Sequence, residues 1–369
     1  MQYKPCKPHM TRTPELNRFL SRRLLFSTLL TGITQRVQAG STDATDDFIQ
    51  GQMESQHIAG LSLAVARYGH LTLARAYGYA DYFNKVPATT ATGYKIASIS
   101  KQFLASAIMV LLQDGKLSLD DPVSTFLSDA PPAWSAIKLR HLLSHTAGLV
   151  REPPIEYRIK QLPNVDVVRS AYSVPLVFAP GDKWQYSNLG YFVIAEVISS
   201  VSGKPWPDFV QARIFAPANL TQTYLTSTNA PNEAVGHSFA GNDWSKAPQP
   251  VAVIPSGAFV STVLDMARWD AALHRNTVLT PKSCRLMWTR TPLNDNTAAP
   301  YGFGWELETV NGYHRVRHGG SLPGFRAFFV RGLDGGLSVV VLVNTEPVYT
   351  EPIAYGIAAI HDPTKAGVR

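Results

Sequence analysis

Ser98 and Lys101 lie three residues apart in the stretch Tyr94-Lys-Ile-Ala-Ser-Ile-Ser-Lys-Gln-Phe103. In a helix that spacing puts both side chains on one face, within reach of each other. A serine hydroxyl is a weak nucleophile at its own pKa, and a lysine whose pKa is depressed by burial can serve as its base. The pair points to covalent acyl transfer through Ser98. Spacing alone does not single it out, because Ser135-Ala-Ile-Lys138 repeats it. That second pair follows the loop-like run Asp129-Ala-Pro-Pro-Ala-Trp134 and precedes a short helix predicted over Leu139 to Leu143. Ser98 instead opens Phe103-Leu-Ala-Ser-Ala-Ile-Met-Val-Leu-Leu112, apolar nearly all round, the pattern of a buried helix with its free N–H groups at Ser98.

Acyl transfer also needs a second proton carrier, an oxyanion site and groups that hold the substrate. Tyr186-Ser187-Asn188 lies between Gly181-Asp-Lys-Trp184 and a helix predicted from near Tyr191 to Val201, so phenol and amide would project at a helix N-terminus. A phenol held near cations can shuttle a proton between nucleophile and leaving group. The plain alternative is capping by Ser187 or Asn188. His318-Gly319-Gly320-Ser321 follows a strand predicted over Tyr313 to Arg317. Its glycines either let backbone pass close to a ligand or turn the chain between strands. Other chemistries lack their patterns. His141 and His145 have helical metal-ligand spacing, but no Glu follows His141. The nearest match to a Gly-x-Ser-x-Gly elbow, Gly60-Leu-Ser62-Leu-Ala64, falls inside a predicted strand. No phosphate loop or dinucleotide fingerprint occurs, and neither cofactor nor metal is expected.

The elements that must carry these residues follow from periodicity. Asp43 to Gln56 reads as a helix, and Gly60 to Arg67 with Leu71 to Gly78 as a hairpin turning at Tyr68-Gly69-His70. The buried helix from Ser98 ends near Gln113-Asp-Gly115 with glycine as its cap. From Leu117 to about Asp243 the chain is helical and loop-rich, with no convincing hairpin. Strands return at Gly257 to Ser261, Gly302 to Leu307, Tyr313 to Arg317, Phe325 to Arg331 and Leu337 to Asn344, before a helix at Glu351 to Ile360. This order predicts an α+β fold: an antiparallel sheet closed by both ends of the chain, flanked by helices, with an inserted all-helical lobe at about 117–243. The cleft between lobes is the expected site.

At 369 residues, 45% hydrophobic and 17% charged, the chain suits one large globular domain over 40–369. Residues 1–39 hold seven Lys or Arg against one acid, and so carry six of the seven net positive charges. The remainder gives no nucleic-acid signature. The leader reads as an export signal: Ser21-Arg22-Arg23, the apolar run Leu24 to Ile33, and Val37-Gln38-Ala39 as cleavage site. Paired arginines favour the twin-arginine route, with the bacterial periplasm as destination. An uncleaved tail or an organellar transit peptide is the alternative, and Met10 is a second candidate start. About ten apolar residues do not make a stable membrane span. Cys6 lies in the leader, and Cys284 reads as a packing residue on a short helix.

Taken in order, Ser98-x-x-Lys101, Tyr186-x-Asn188 and His318-Gly-Gly320 resemble the motifs of the penicillin-recognising serine hydrolases: class C β-lactamases, DD-peptidases, D-aminopeptidases and family VIII esterases. The likeness runs from about Asp47 to about Ile360. It includes Leu142-Leu-Ser-His-Thr-Ala-Gly-Leu149, Gly257-Ala-Phe-Val-Ser-Thr262 and Tyr301-Gly-Phe-Gly-Trp305. The resemblance implies a β-lactamase/transpeptidase-like fold, with Ser98 as nucleophile and Lys101 and Tyr186 moving its proton, the base left open between them. It further implies that Asn188 orients Lys101 or holds a substrate amide. By the same analogy the N–H groups of Ser98 and Ser321 form the oxyanion hole, and His318, Gly319 and Gly320 line the cleft. The third motif departs from the β-lactamases, which usually carry Lys-Thr-Gly. His-Gly-Gly is similar to what D-aminopeptidases and some esterases have, and a neutral imidazole attracts a carboxylate less than an ammonium does. Lys365-Ala-Gly367 comes after the final helix, out of order. The expected activity is cleavage of an ester or a peptide-like amide. A class C-like β-lactamase or DD-carboxypeptidase, and a non-catalytic binder of cell-wall peptides, are the alternatives. The expected partner is a small-molecule or peptide substrate, with pocket walls from about Arg151 to Asp182 and Thr226 to Pro250; oligomeric state is not legible.

Overall fold

Leu337-Ser-Val-Val-Val-Leu-Val343 is apolar at all positions but one, which suits a strand buried on both faces. The computed structural model describes residues 43–362 apart from 159, 227–229, 231 and 249–253. Among these, that run is the middle strand of a seven-stranded antiparallel sheet. The strands are β1 (Gly60–Arg67), β2 (His70–Asp81), β3 (Val86–Pro87), β4 (Glu306–Val310), β5 (Tyr313–Leu322), β6 (Phe325–Gly332) and β7 (Leu337–Val343). Their spatial order is β3-β2-β1-β7-β6-β5-β4, and Ala64 of β1 faces Val340 of β7, so the two ends of the sequence meet at the sheet's centre.

Five helices matter to the site: α1 (Ala44–Ser55), α2 (Lys101–Gln113), α3 (Leu139–Leu143), α4 (Asn188–Ser202) and α5 (Thr350–His361). The two-residue pleat sorts the sheet's side chains between two layers. Leu61, Leu63, Val65, Phe328, Val330, Val339 and Val341 form one core with α1 and α5. Ala64, Val316, Phe329, Val340 and Leu342 join the larger core around α2, α4 and the helical lobe. Every residue from Lys101 to Leu111 of α2 is buried, and Gly115 ends that helix in the left-handed region at φ +68°.

Four expectations about elements need correction. Between 117 and 243 the chain also contains a strand at Tyr224–Leu225 and the start of a hairpin, His237–Ala240 with Asp243–Lys246. Gly241 and Asn242 turn it at φ +58° and +83°. A Gly-Asn turn is a hairpin signal that its four-residue strands hide, and Trp244 secures it by stacking on Tyr82 at 4.5 Å. The predicted strand at Gly302 begins only at Glu306, because Gly302–Trp305 is a turn closed by the Gly302 N–H on the Trp305 carbonyl at 2.8 Å. Gly257 lies in a 3-10 turn, Pro255–Gly257, and only Phe259–Ser261 is strand. Finally, β5 continues past Arg317 to Leu322. The leader 1–39 and Lys365-Ala-Gly367 lie outside the described residues. Among those described, no helix is long and apolar enough to cross a membrane.

Candidate active site

Ser98 stands in a 3-10 turn, Ala97–Ser100, and α2 starts only at Lys101. The expectation of an α-helical start at Ser98 is corrected in a way that tightens the pair, since residues i and i+3 eclipse in 3-10 geometry. Ala97 has φ +49°, a left-handed conformation that costs a non-glycine residue about 1–3 kcal/mol. Tertiary contacts hold it there. Ile96 donates its N–H to the Phe259 carbonyl at 3.0 Å, and the buried Ser100 hydroxyl accepts the Phe259 N–H at 3.2 Å. Ser98 is left half-exposed beside this buried frame.

Lys101 is fully buried. Its Nζ lies 3.1 Å from Ser98 Oγ, 2.8 Å from Asn188 Oδ1 and 2.8 Å from the Ser256 carbonyl oxygen. Burial depresses its pKa well below the ordinary lysine value, with Glu152 opposing the shift and Arg151 adding to it. A neutral amine keeps two N–H donors on the two carbonyl oxygens and turns its lone pair to the Ser98 hydroxyl. That is the arrangement a general base requires.

Ser187 caps α4. Its hydroxyl accepts the Gly190 N–H at 3.2 Å and donates to the Val150 carbonyl at 2.8 Å. Asn188 therefore begins the helix, earlier than the expected start near Tyr191. Its amide is oriented from both ends, the oxygen by Lys101 and the nitrogen by Glu152 Oε1 at 2.7 Å. Tyr186 lies beside them. Its ring centroid is 4.9 Å from Lys101 Nζ and 5.3 Å from the Arg151 guanidinium, and its hydroxyl interacts with that of Ser98. Burial raises the phenol's pKa well above 10.0, while Ser98 pulls the other way. The resting phenol is neutral and able to donate.

The glycines of His318-Gly319-Gly320 make no turn; they run within β5 beyond Arg317, the last residue paired with β4. A Cβ on Gly320 would lie 2.3 Å from the Ile96 carbonyl oxygen, so glycine is what lets the strand lie against the turn that carries Ser98. His318 is buried. Its Nδ1 meets the Gly319 carbonyl at 2.6 Å, which makes Nδ1 the donor, and Nε2 accepts the Tyr301 hydroxyl at 2.8 Å. Burial, then Lys101, push its pKa down to about 3, so the ring is neutral at pH 7.

Seven of the eight expected residues, Ser98, Tyr186, Asn188 and 318–321, line one cleft of about 1280 Å³, with Lys101 beneath it. A side chamber of about 260 Å³ holds Ser98, Ser321, Tyr157, Ser256 and Ile254. Sequence reasoning missed several contributors. Glu152 accepts from Asn188, takes the Tyr157 hydroxyl at 2.6 Å and pairs with Arg158 at 3.2 Å. Tyr301 belongs to a run noted above, but no role followed from it. The far wall comes from Phe48 and Gln52 of α1 and from Tyr349 to Pro352 at the start of α5, while the described part of 226–250 supplies neither cavity. His141 and His145 each spend Nδ1 on a backbone N–H, of Lys138 and Ser187 respectively, at 3.2 Å.

A protein-family model described as Beta-lactamase matches residues 45–361. Penicillin-binding protein 4* of Bacillus subtilis is 28% identical over 322 residues, 79% of this chain and 69% of the relative. Among solved structures, a penicillin-binding protein from Bacillus halodurans aligns with TM-score 0.74 and 25% identity, covering 88% of this chain and 99% of that one. A D-amino acid amidase from Ochrobactrum anthropi SV3, solved with L-phenylalanine amide, aligns with TM-score 0.74 and 27% identity over the same shares.

Proposed function

Because the chain belongs to the beta-lactamase family of penicillin-recognising serine hydrolases, we propose that it forms an acyl-enzyme on Ser98 and hydrolyses an ester or a peptide-like amide. The observation that carries this is the fully buried Lys101 amine, 3.1 Å from Ser98 Oγ and fixed by two carbonyl oxygens. Lys101, uncharged, takes the serine proton as Oγ attacks the carbonyl carbon. The oxyanion gathers on the N–H groups of Ser98 and Ser321. Tyr186 then protonates the departing alcohol or amine and regains a proton from Lys101, so that amine and phenol are both neutral again when water releases the acyl group by the reverse route. The neutral phenol suits a relay better than a base, which favours Lys101 for that first step.

An esterase or D-amino-acid peptidase fits better than a β-lactamase or DD-carboxypeptidase. The neutral His318 supplies no cation for a substrate carboxylate where β-lactamases usually have a lysine, and the D-amino acid amidase likeness points the same way. A non-catalytic binder would have no use for the chain Ser98, Lys101, Asn188, Glu152. Rates on a short-chain nitrophenyl ester, a D-alanyl anilide and a chromogenic cephalosporin, measured side by side, separate the substrate classes. Ser98→Ala is expected to abolish turnover and the mass gain with a fluorophosphonate; full activity in that variant overturns the mechanism. The composition of residues 1–39 supports export to the periplasm, tested by whether the exported protein begins after Ala39.

A further inference from the structure

His145 follows α3 and has its backbone in the left-handed region, at φ +61°, although it is neither glycine nor asparagine. That conformation is costly and is kept where the surroundings over-determine it. Its contacts converge on one short segment. The His145 carbonyl accepts the Gln185 N–H at 2.9 Å, and Nδ1 accepts the Ser187 N–H at 3.2 Å. Between those two anchors its ring packs against the ring of Tyr186, with centroids 4.2 Å apart and planes tilted by 38°. The residues on both sides of Tyr186, and the tyrosine ring itself, are thus held by a single side chain and its carbonyl.

The Ser187 N–H makes Nδ1 an acceptor, so the ring proton is on Nε2. Nε2 finds no hydrogen-bond partner among the described residues, and the rings of Tyr186, Tyr301 and Tyr191 pack around the imidazole at 4.2, 4.6 and 5.4 Å. A second ring proton would set N–H against N–H at Ser187. Burial, and after it Lys101, keep that proton off.

We propose that His145 is a positioning residue that sets the plane and reach of Tyr186, so that the phenol meets the Ser98 hydroxyl. The proposal rests on the reading of Tyr186 as the proton carrier at Ser98. It is tested with steady-state kinetics on a nitrophenyl ester for wild type, Tyr186→Phe, His145→Phe and the double variant, with circular dichroism confirming the fold. Removing a proton carrier is expected to lower kcat by about 10²-fold or more in Tyr186→Phe. His145→Phe keeps a ring but loses the acceptor, and is expected to lower kcat by about 10- to 100-fold with KM little changed. The double variant is expected to be no slower than Tyr186→Phe alone, because a residue acting through the phenol has nothing left to position. His145→Asn offers an oxygen to Ser187 and is expected to recover part of the loss; it takes the place of His145→Phe in the cycle should that variant not fold. Additive losses in the double variant, or wild-type kcat in His145→Phe, overturn the proposal for His145. Wild-type kcat in Tyr186→Phe overturns the proton-carrier reading itself, and His145's role with it.

Discussion

Alanine at 320 probes how closely β5 is set against the turn that carries Ser98. Its Cβ would stand 2.3 Å from the Ile96 carbonyl oxygen and 3.1 Å from the carbonyl carbon, backbone atoms that no rotamer change can move aside. Restoring an ordinary carbon–oxygen separation of about 3.3 Å requires strand and turn to part by about 1 Å. Overpacking of that kind costs about 1–3 kcal/mol of stability. A shift of about 1 Å between reacting groups costs about 10²-fold in rate. Gly319 is the internal control, since a Cβ there meets nothing nearer than Phe328 at 3.7 Å. Gly320→Ala is expected to fold with a Tm lowered by several degrees and to lose about 10²-fold in kcat on a nitrophenyl ester. Gly319→Ala is expected to keep the wild-type Tm. Thermal scans and steady-state kinetics on the two variants decide the matter. Wild-type Tm and kcat in Gly320→Ala, or equal destabilisation by both alanines, would refute the close approach as the reason for glycine.

Two further predictions concern protons. Arg151 lowers and Glu152 raises the Lys101 pKa, and the acid limb of kcat/KM reports that titration; Arg151→Gln is expected to move the limb to higher pH and Glu152→Gln to lower pH. Shifts of the same sign, or none, would contradict Lys101 as the base. His318 titrates at about 3 in the fold against an ordinary 6.5, so between those values the unfolded chain holds the extra proton. Stability falls as pH drops through that window, by up to about 1.4 kcal/mol per pH unit, and His145 adds a loss of the same sign. Urea midpoints from pH 7 to 4 are expected to decline less steeply for His318→Asn, and an identical slope counts against this account.

Elements with a strong period were legible from sequence: the hairpin at Gly69, the strand Leu337–Val343 and the buried α2 have bounds within a few residues of those expected. Less legible was whatever a distant partner decides. Alanine has no local reason to adopt the left-handed conformation at 97, which the contact between Ile96 and Phe259 imposes. The glycines at 319 and 320 carry a turn signal, and only the nearby Ile96 carbonyl reveals that one of them permits close passage of a strand. Glu152 lies in a loop 36 positions before Asn188, with no motif around it, and shows its part only when the amide it orients is in view. Tyr301 and His145 sit in runs visible in the sequence, but their partners, His318 and Tyr186, arrive through tertiary folding.

The meeting of β1 with β7 has a consequence for the order of events in synthesis. Ala64 and Val340 belong to opposite ends of the sequence, so the centre of the sheet stays open until nearly all of the chain has emerged. The Lys101 amine is held by Asn188 and Ser256, which lie well downstream of it in the sequence. Before those partners arrive the amine is hydrated and protonated, and on the proposed mechanism it offers Ser98 no base. On that mechanism a chain that lacks them is expected to be chemically silent, and reactivity to arrive only as the fold closes around the amine.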